Sequence, residues 1–314
     1  MKAGWSGNGH CTQDPSVAAI WTFAGLRNVD LGGQSELDLG YGQSLIKTNS
    51  FLLSARDRSL MSGLQYRDEE NHSCYLVDRK IQPIFPDSND QRQSCIERLQ
   101  NALLAFQLLK PLQTSGFIFQ GREGANATLH LEKTTLRLPM EAGTWARMRR
   151  FDREFLDRVP GFIQKVKRVM EGTEVEKKNA LFLLQLALEN PHPLISGLLA
   201  VMGMEAILDS SDRYEFRTKI CSLVGSSTSV FPDWNSAVFP PPPKTVDMVA
   251  IDLYMLRSKL AHGAGLRKAA IDKKTPVDLL QKVSLASDLE PTTYAIFLAE
   301  AAIYLLCQVL QTIL

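Results

Sequence analysis

The sequence predicts an α+β protein, in which a mixed α/β module over residues 1–139 precedes an all-helical domain over residues 140–314. Before residue 140, short β-branched and aromatic runs alternate with glycine-containing turns. After residue 140, apolar residues recur at helical spacing in one segment after another. The composition, with 45% hydrophobic and 22% charged residues, is typical of a globular chain and excludes a disordered or low-complexity protein.

In the first module, the runs 73–77 and 81–85 have the composition of β-strands. Two later runs, 117–119 and 128–131, flank a polar stretch that contains glycines and predict a β-hairpin. A helix is predicted before them, because apolar residues recur at helical spacing until a proline ends the run. These residues are Ile96, Leu99, Leu103, Phe106 and Leu109, followed by Pro111. Upstream, Gly32-Gly33 and Gly40-Tyr41-Gly42 mark turns.

The second module is predicted to be helical throughout, with a proline-rich loop at 225–244 that acts as a rigid spacer or binds a partner. Its last segment is apolar enough to resemble a membrane span, but Glu300, Gln308 and Gln311 interrupt it, so we expect a buried helix and no membrane association. The predicted helices lie within 144–167 (broken near Pro160-Gly161), 174–188, 191–207, 212–224, 246–262, 276–287 and 292–313.

The charge balance excludes a chain-wide basic surface, since 35 Lys and Arg face 34 Asp and Glu. A nucleic-acid-binding surface would therefore have to be local. Residues 145–168 form one candidate, which would either follow an RNA backbone or be a solvated helix face with internal ion pairs. Its basic residues are Arg147, Arg149, Arg150, Arg153, Arg158, Lys165, Lys167 and Arg168.

Several functional classes lack their sequence signatures. The chain has no phosphate-binding loop, no dinucleotide fingerprint and no nucleophile elbow, and its five histidines are scattered. The five cysteines form no CxxC pair, which indicates reduced thiols. The first ten residues lack the apolar stretch of a signal peptide, so we expect a cytoplasmic protein.

The segment 254–263 reads Tyr-Met-Leu-Arg-Ser-Lys-Leu-Ala-His-Gly. It has an arginine and a histidine near the end of a predicted helix that Gly263 would close. Arg257 lies five residues before His262, so one helix turns their side chains about 140° apart. The two can flank a groove that a second copy of the helix completes. Ser258 lies four residues before His262 and shares its face.

An arginine and a histidine suit RNA cleavage. Arg257 would bind the scissile phosphate and stabilise its developing charge, and His262 would move protons to or from the ribose 2′-OH or the leaving oxygen. Alternatively, both residues merely cap and solvate a helix end. Glu205, within an apolar run, is either an exposed residue of an amphipathic helix or a buried carboxylate that needs a partner, for which Arg257 is a candidate.

The string Leu-Tyr-x-Leu-Arg-Ser-Lys-Leu-Ala-His-Gly over 253–263 resembles the signature of the HEPN superfamily, particularly of its Apea-like branch. Residues 198–208, with their internal glutamate, and 216–224 are similar to the helices that precede the motif in that branch. The likeness covers about 140–314, so it implies a HEPN-like helical bundle for the second module.

The resemblance implies a homodimer that joins two Arg-x4-His pairs and cleaves RNA without a metal or other cofactor, leaving a 2′,3′-cyclic phosphate. Arg257 and His262 would be the catalytic residues. Ala264 stands where toxins of another branch carry a modified tyrosine, so regulation by that route is not expected. The candidate substrate-binding residues are Tyr254, Ser258, Lys259, Arg267 and Lys268.

We therefore expect a metal-independent endoribonuclease acting in antiviral defence or a toxin system. The alternative is a HEPN-like module that binds nucleotides, RNA or proteins without catalysis. Residues 1–139 would be a sensor or would recruit a substrate or partner protein.

Overall fold

The chain forms a six-stranded antiparallel sheet and seven helices within the residues that the computed structural model describes, which agrees with the α+β class. The residues described are 19–26, 29–47, 74–81, 89–110, 114, 117–122, 130–133, 152–190, 193–230, 245–261 and 291–314.

The sheet has the order β2-β3-β4-β1-β5-β6. The predicted strand at 73–77 is confirmed as part of β4, and the predicted antiparallel pairing of the hairpin is confirmed by Phe119 opposite Leu131. Its turn, and residues 82–85 of the other predicted strand, lie outside the described residues. The strands are β1 (Ala19–Leu26), β2 (Glu36–Gly40), β3 (Gln43–Lys47), β4 (Cys74–Ile81), β5 (Phe117–Arg122) and β6 (His130–Lys133).

The turn between β2 and β3 requires its glycines. Gly40, Tyr41 and Gly42 have φ angles of 81°, 58° and 77°, a left-handed conformation that suits glycine. The side chain of Asp38 accepts a hydrogen bond from the Gly40 N–H at 2.8 Å and stabilises the turn. The turn predicted from the glycine pattern is confirmed.

The helices match most of the predicted segments. Residues 276–287, the run of four prolines at 240–243 and residues 144–151 lie outside the described part of the chain. The helices are α1 (Asn89–Leu109), α2 (Arg153–Glu171), α3 (Val175–Glu189), α4 (Pro193–Leu208), α5 (Arg213–Val224), α6 (Val246–Ala261) and α7 (Pro291–Ile313).

The predicted break at Pro160-Gly161 is wrong, because α2 continues through Pro160. A proline in a helix loses one backbone hydrogen bond and costs about 3 kcal/mol. Burial of the apolar stripe offsets this cost, since each large apolar side chain removed from water contributes about 1.5–3 kcal/mol. The stripe consists of Leu156, Val159, Phe162, Ile163, Val166 and Val169.

The sheet and the helices share one apolar core. Helix α1 packs against strands β1 and β4 and against helices α2 and α7. Leu99, Leu103 and Phe106 of α1 are fully buried within that core. The boundary at 139/140 lies in a segment that the structure does not describe, so the division into two domains stays a prediction.

Helix α7 is the buried terminal helix that the sequence predicts. Its Glu300 is only 5% exposed, and the side chain of Gln311 donates a hydrogen bond to the carbonyl of Leu108 on α1. In the described part of the chain, no single helix is both long and apolar enough to cross a membrane. The bent pair Leu194–Leu208 and Arg213–Val224 passes that test only when its two helices are counted together.

Helices α4 and α7 approach each other closely at Gly197. A Cβ atom at this position would lie 3.1 Å from the Cα of Ala299, which is backbone and cannot rotate away. Farther along the same interface, a Cβ at Gly203 would lie 2.8 Å from Cδ2 of Leu306. Small residues on α4 therefore set the distance at which α7 packs.

Candidate functional site: an arginine–glutamate pair between two helices

Helix α6 holds Arg257 at the edge of the core. A buried apolar face of α6 docks it on the neighbouring helices α4, α5 and α7, and its members are Val246, Val249, Ala250, Leu253 and Leu256. Arg257 follows the last of these, and its side chain remains 33% exposed. The described part of the helix extends to Ala261, and His262, its predicted last residue, lies outside the described residues.

Arg257 is paired with Glu205 of α4. Its Nε donates a hydrogen bond to Oε2 of Glu205 at 2.9 Å, and only 15% of the glutamate side chain is exposed. The partnership considered from the sequence is confirmed, and the interpretation of Glu205 as an exposed residue is wrong. The helix leaves this carboxylate mostly buried, where it needs a cationic partner.

Burial has the largest effect on the pKa of Glu205. Loss of hydration raises the pKa of Glu205 above its ordinary value, while the charge and hydrogen bond of Arg257 only partly oppose that rise. The folded state therefore favours the protonated form of Glu205 more than the unfolded state does. The hydrogen bond to Glu205 holds the guanidinium in a defined place.

Replacing Glu205 with glutamine tests this balance. A raised pKa in the folded state gives a stabilising contribution that is complete below the unfolded pKa and is lost as pH rises through the folded one. Glutamine, which stays neutral and can still accept the bond from Arg257, removes this dependence. We expect the Glu205→Gln variant to gain stability relative to the native chain between pH 4 and pH 7, measured by urea unfolding.

Glu215 of α5 provides a control, because its pKa is shifted in the opposite direction from that of Glu205. Hydrogen bonds from Lys219 and Ser211 lower its pKa to about 2, so its contribution is present above its unfolded pKa and lost as pH falls towards 2. The Glu215→Gln variant should therefore lose stability relative to the native chain as pH rises from acid. A Glu205→Gln variant that behaved in the same way would show that the attraction of Arg257 exceeds the cost of burial.

Tyr254 packs on the core side of the site. Its ring centroid lies 5.5 Å from that of Phe216, and its hydroxyl donates to the carbonyl of Ser211 at 3.4 Å. The guanidinium carbon of Arg257 lies 6.0 Å from the Tyr254 ring. The structure thus brings together Tyr254, Glu205 and Arg257, and a substrate-binding role of Tyr254 stays a prediction.

The other candidate site residues are only partly described. Ser258 is half-buried on α6, and the backbone of Lys259 belongs to the same helix. His262, Arg267 and Lys268 lie outside the described residues, as does Ala264. Their roles stay predictions.

A second arginine–carboxylate pair, absent from the predictions made on the sequence, joins α5 to α6. Arg217 donates from Nε and Nη2 to the two carboxylate oxygens of Asp247 at 2.6 and 2.8 Å. The hydrogen bonds from Arg217 lower the pKa of Asp247, and burial is the main cause that raises the pKa of the adjacent Cys221 thiol. The partners are 30 residues apart, so no local spacing reveals the pair.

The described part of the basic stretch is a solvated helix face. Arg153 pairs with Asp157 at 2.9 Å, and Lys167 approaches Glu171 at 3.9 Å. Lys165 lies over the Phe162 ring at 4.8 Å. Arg153 and Lys167 thus have the internal ion pairs that one interpretation expects, whereas RNA binding by this stretch stays a prediction, and Arg147, Arg149 and Arg150 lie outside the described residues.

The comparisons with protein-family models, curated proteins and solved structures found no match to this chain.

Proposed function

We propose that the chain is a metal-independent endoribonuclease of the HEPN type, with Arg257 as the phosphate-binding residue and His262 as the proton-transfer residue. One observation carries this proposal: a partly exposed guanidinium lies near the end of α6 and is held there by Glu205. In the sequence, His262 directly follows Ala261, the last residue of that helix that the structure describes, within the Arg-Ser-Lys-Leu-Ala-His-Gly string.

The chemistry follows from the donors of arginine. A guanidinium has five N–H groups, and the bond to Glu205 uses the one on Nε. The groups on Nη1 and Nη2 have the fork geometry that binds two oxygens of a phosphate. A guanidinium already oriented by a carboxylate loses little freedom when substrate binds, which favours stabilisation of the transition state.

A complete site would need two copies of the chain. A helix that continued to His262, which lies outside the described residues, would separate the directions of Arg257 and His262 by about 140°. The two side chains would then flank a groove that the same pair from a second copy would close. This geometry supports a homodimer as the active form. Such an enzyme would suit antiviral defence or a toxin system, with the first module recruiting substrate or a partner protein.

A non-catalytic module that binds RNA, nucleotides or proteins is the second candidate function. The Glu205 carboxylate favours it, because a partner charge at 2.9 Å weakens the attraction of Arg257 for phosphate. In this alternative the pair would only join α4 to α6.

Incubation with total RNA in excess chelator tests the proposal. The native chain should produce fragments that end in a 2′,3′-cyclic phosphate, since the proposed reaction uses the ribose 2′-OH as nucleophile and no metal. The His262→Ala variant should yield none above background, and light scattering should report a dimer. Binding of RNA without fragments in the native chain would favour the second candidate function.

A further inference from the structure

A cleft of about 620 Å³ lies between α1, α2, α3 and the β2–β3 turn. This volume is within the range of small-molecule sites. None of the helices that form it is α4 or α6, which carry the Glu205–Arg257 pair. The cleft is therefore separate from that pair, and ligand binding in it does not depend on RNA cleavage.

The floor of the cleft is held by a buried polar network. Arg98 donates from Nη2 to Oδ1 of Asp78 at 2.9 Å and to the carbonyl of Tyr41 at 3.0 Å. Asp78 is buried, whereas the Arg98 side chain is 35% exposed. These two hydrogen bonds fix the position of the Arg98 guanidinium when no ligand is present.

Gln43, which lines the cleft and is 3% exposed, has an unused acceptor. Its Nε2 donates to Oδ2 of Asp78 at 2.9 Å and to the carbonyl of Arg98 at 3.2 Å. Both partners are acceptors, so the orientation of the amide is determined. Its Oε1 has no hydrogen-bond partner among the described residues. A buried acceptor without a donor is costly, and a ligand N–H group that reached Oε1 of Gln43 would satisfy it.

The rest of the lining combines amides with exposed rings. Gln100 and Asn101 add further carboxamides, each of which has a donor and an acceptor in one plane. Gln185 adds a third, whose Nε2 already donates to Oε1 of Glu189 at 2.8 Å. Tyr41 is 50% exposed and Phe182 is 52% exposed, although both are large apolar groups. Paired donors and acceptors match the edge of a nucleobase, and aromatic rings stack on its face.

The charged side chains that line the cleft disfavour a phosphate group inside it. Arg98 and Lys167 are the basic lining residues, and Glu97 and Glu171 are the acidic ones. Since Asp78 already neutralises Arg98, the acids exceed the bases. We propose that this cleft binds an unphosphorylated nucleobase with its sugar, either as a free nucleoside or as one unpaired residue of a strand whose phosphates stay outside.

Calorimetric titration of the full chain with adenosine, guanosine, cytidine and uridine, each alone, tests the proposal. A six-nucleotide RNA with 2′-O-methyl groups, which cannot be cleaved through its 2′-OH, tests a base presented by a strand. We expect saturable binding of at least one nucleoside or of this RNA. Adding a 5′-triphosphate to a nucleoside that binds should weaken it, and ribose and glucose should not bind.

Two variants remove the stacking rings. Phe182→Ala changes an exposed side chain, and Tyr41→Asn suits the left-handed backbone at φ 58°. Each should weaken binding by about fivefold or more, the lower end of what a base-stacking ring contributes. Tyr214→Ala on α5 is the matched control, since this ring is 58% exposed and lies outside the cleft; it should leave affinity unchanged.

Circular dichroism should show all three variants folded. The proposal is overturned if no nucleoside or modified RNA binds at millimolar concentration, if ribose or glucose binds equally well, or if both ring variants keep native affinity. The titrations use ligands that cannot be cleaved, whereas the proposed function is tested by the cleavage of total RNA and its loss in His262→Ala, so the failure of this proposal and the failure of the proposed function are distinguishable.

Discussion

Replacing Arg257 with alanine is expected to lower the rate of RNA cleavage by about 10²–10³-fold, the loss seen when one preorganised donor to a developing negative charge is removed. His262→Ala should cost about 10²–10⁴-fold, because it removes general acid–base catalysis. The double variant should be little worse than the more damaged single one, since the two side chains act as a unit. Initial rates on a fluorescent RNA in excess chelator measure all three effects.

Arg217→Ala is the matched control for Arg257→Ala. Both arginines join two helices through a carboxylate, and their side chains are similarly exposed, at 37% and 33%. A purely structural role for Arg257 would make the two variants equally harmful. Native activity in Arg257→Ala, or equal loss in Arg217→Ala at matched folding, would contradict the proposed role of Arg257. Arg257→Lys should recover only part of the rate, because lysine keeps the charge but not the fork of donors.

Replacing Gly197 with leucine is expected to lower the free energy of unfolding by about 3 kcal/mol, the upper end of the cost of overpacking. The first added atom would lie 3.1 Å from the Cα of Ala299, so α7 would have to move away from α4 to admit the side chain. Both helices belong to the shared core, so the displacement would disturb packing beyond the interface. Urea unfolding monitored by circular dichroism measures the change.

Gly161→Leu on α2 separates overpacking from the effect of losing a glycine. A Cβ at this exposed helical position would meet no atom within 4 Å. Leucine should therefore leave stability unchanged or raise it by up to about 1 kcal/mol through its higher helix propensity. Gly203→Ala should cost less than Gly197→Leu, because it meets the rotatable tip of Leu306. Equal effects of Gly197→Leu and Gly161→Leu would show that α4 and α7 separate without cost.

Periodicity predicted most helices because each one buries an apolar face whose spacing is visible in the chain. The break expected at Pro160-Gly161 was wrong, because the local rule for proline is outweighed there by six buried side chains of the same helix. Strands β1, β2 and β3 had no assigned pattern, although the glycines of the turn between β2 and β3 were visible. Their pairing depends on partners far along the sequence, such as Phe23 opposite Val77.

The candidate site likewise has features that the sequence indicated and features that only the structure revealed. Arg257 and Glu205 were candidates from the chain alone, since a carboxylate in an apolar run requires a partner and an arginine near a helix end suggests a role. The sequence left their pairing as one of several alternatives. The packing of α4 against α6 brings Arg257 and Glu205 within 2.9 Å of each other. The Arg217–Asp247 pair and the cleft had no local signal.

Residue order alone thus predicted the α+β class and most helix positions correctly, and it indicated Arg257 as a candidate phosphate-binding residue, because each of these depends on neighbours within a few turns of chain. Packing decided which charges pair, how close α4 and α7 lie, and where Gln43, Arg98 and Phe182 line a common cleft. Those outcomes depend on contacts between segments tens of residues apart. These contacts are stabilised mainly by the burial of apolar surface, and that burial occurs only when distant segments pack together.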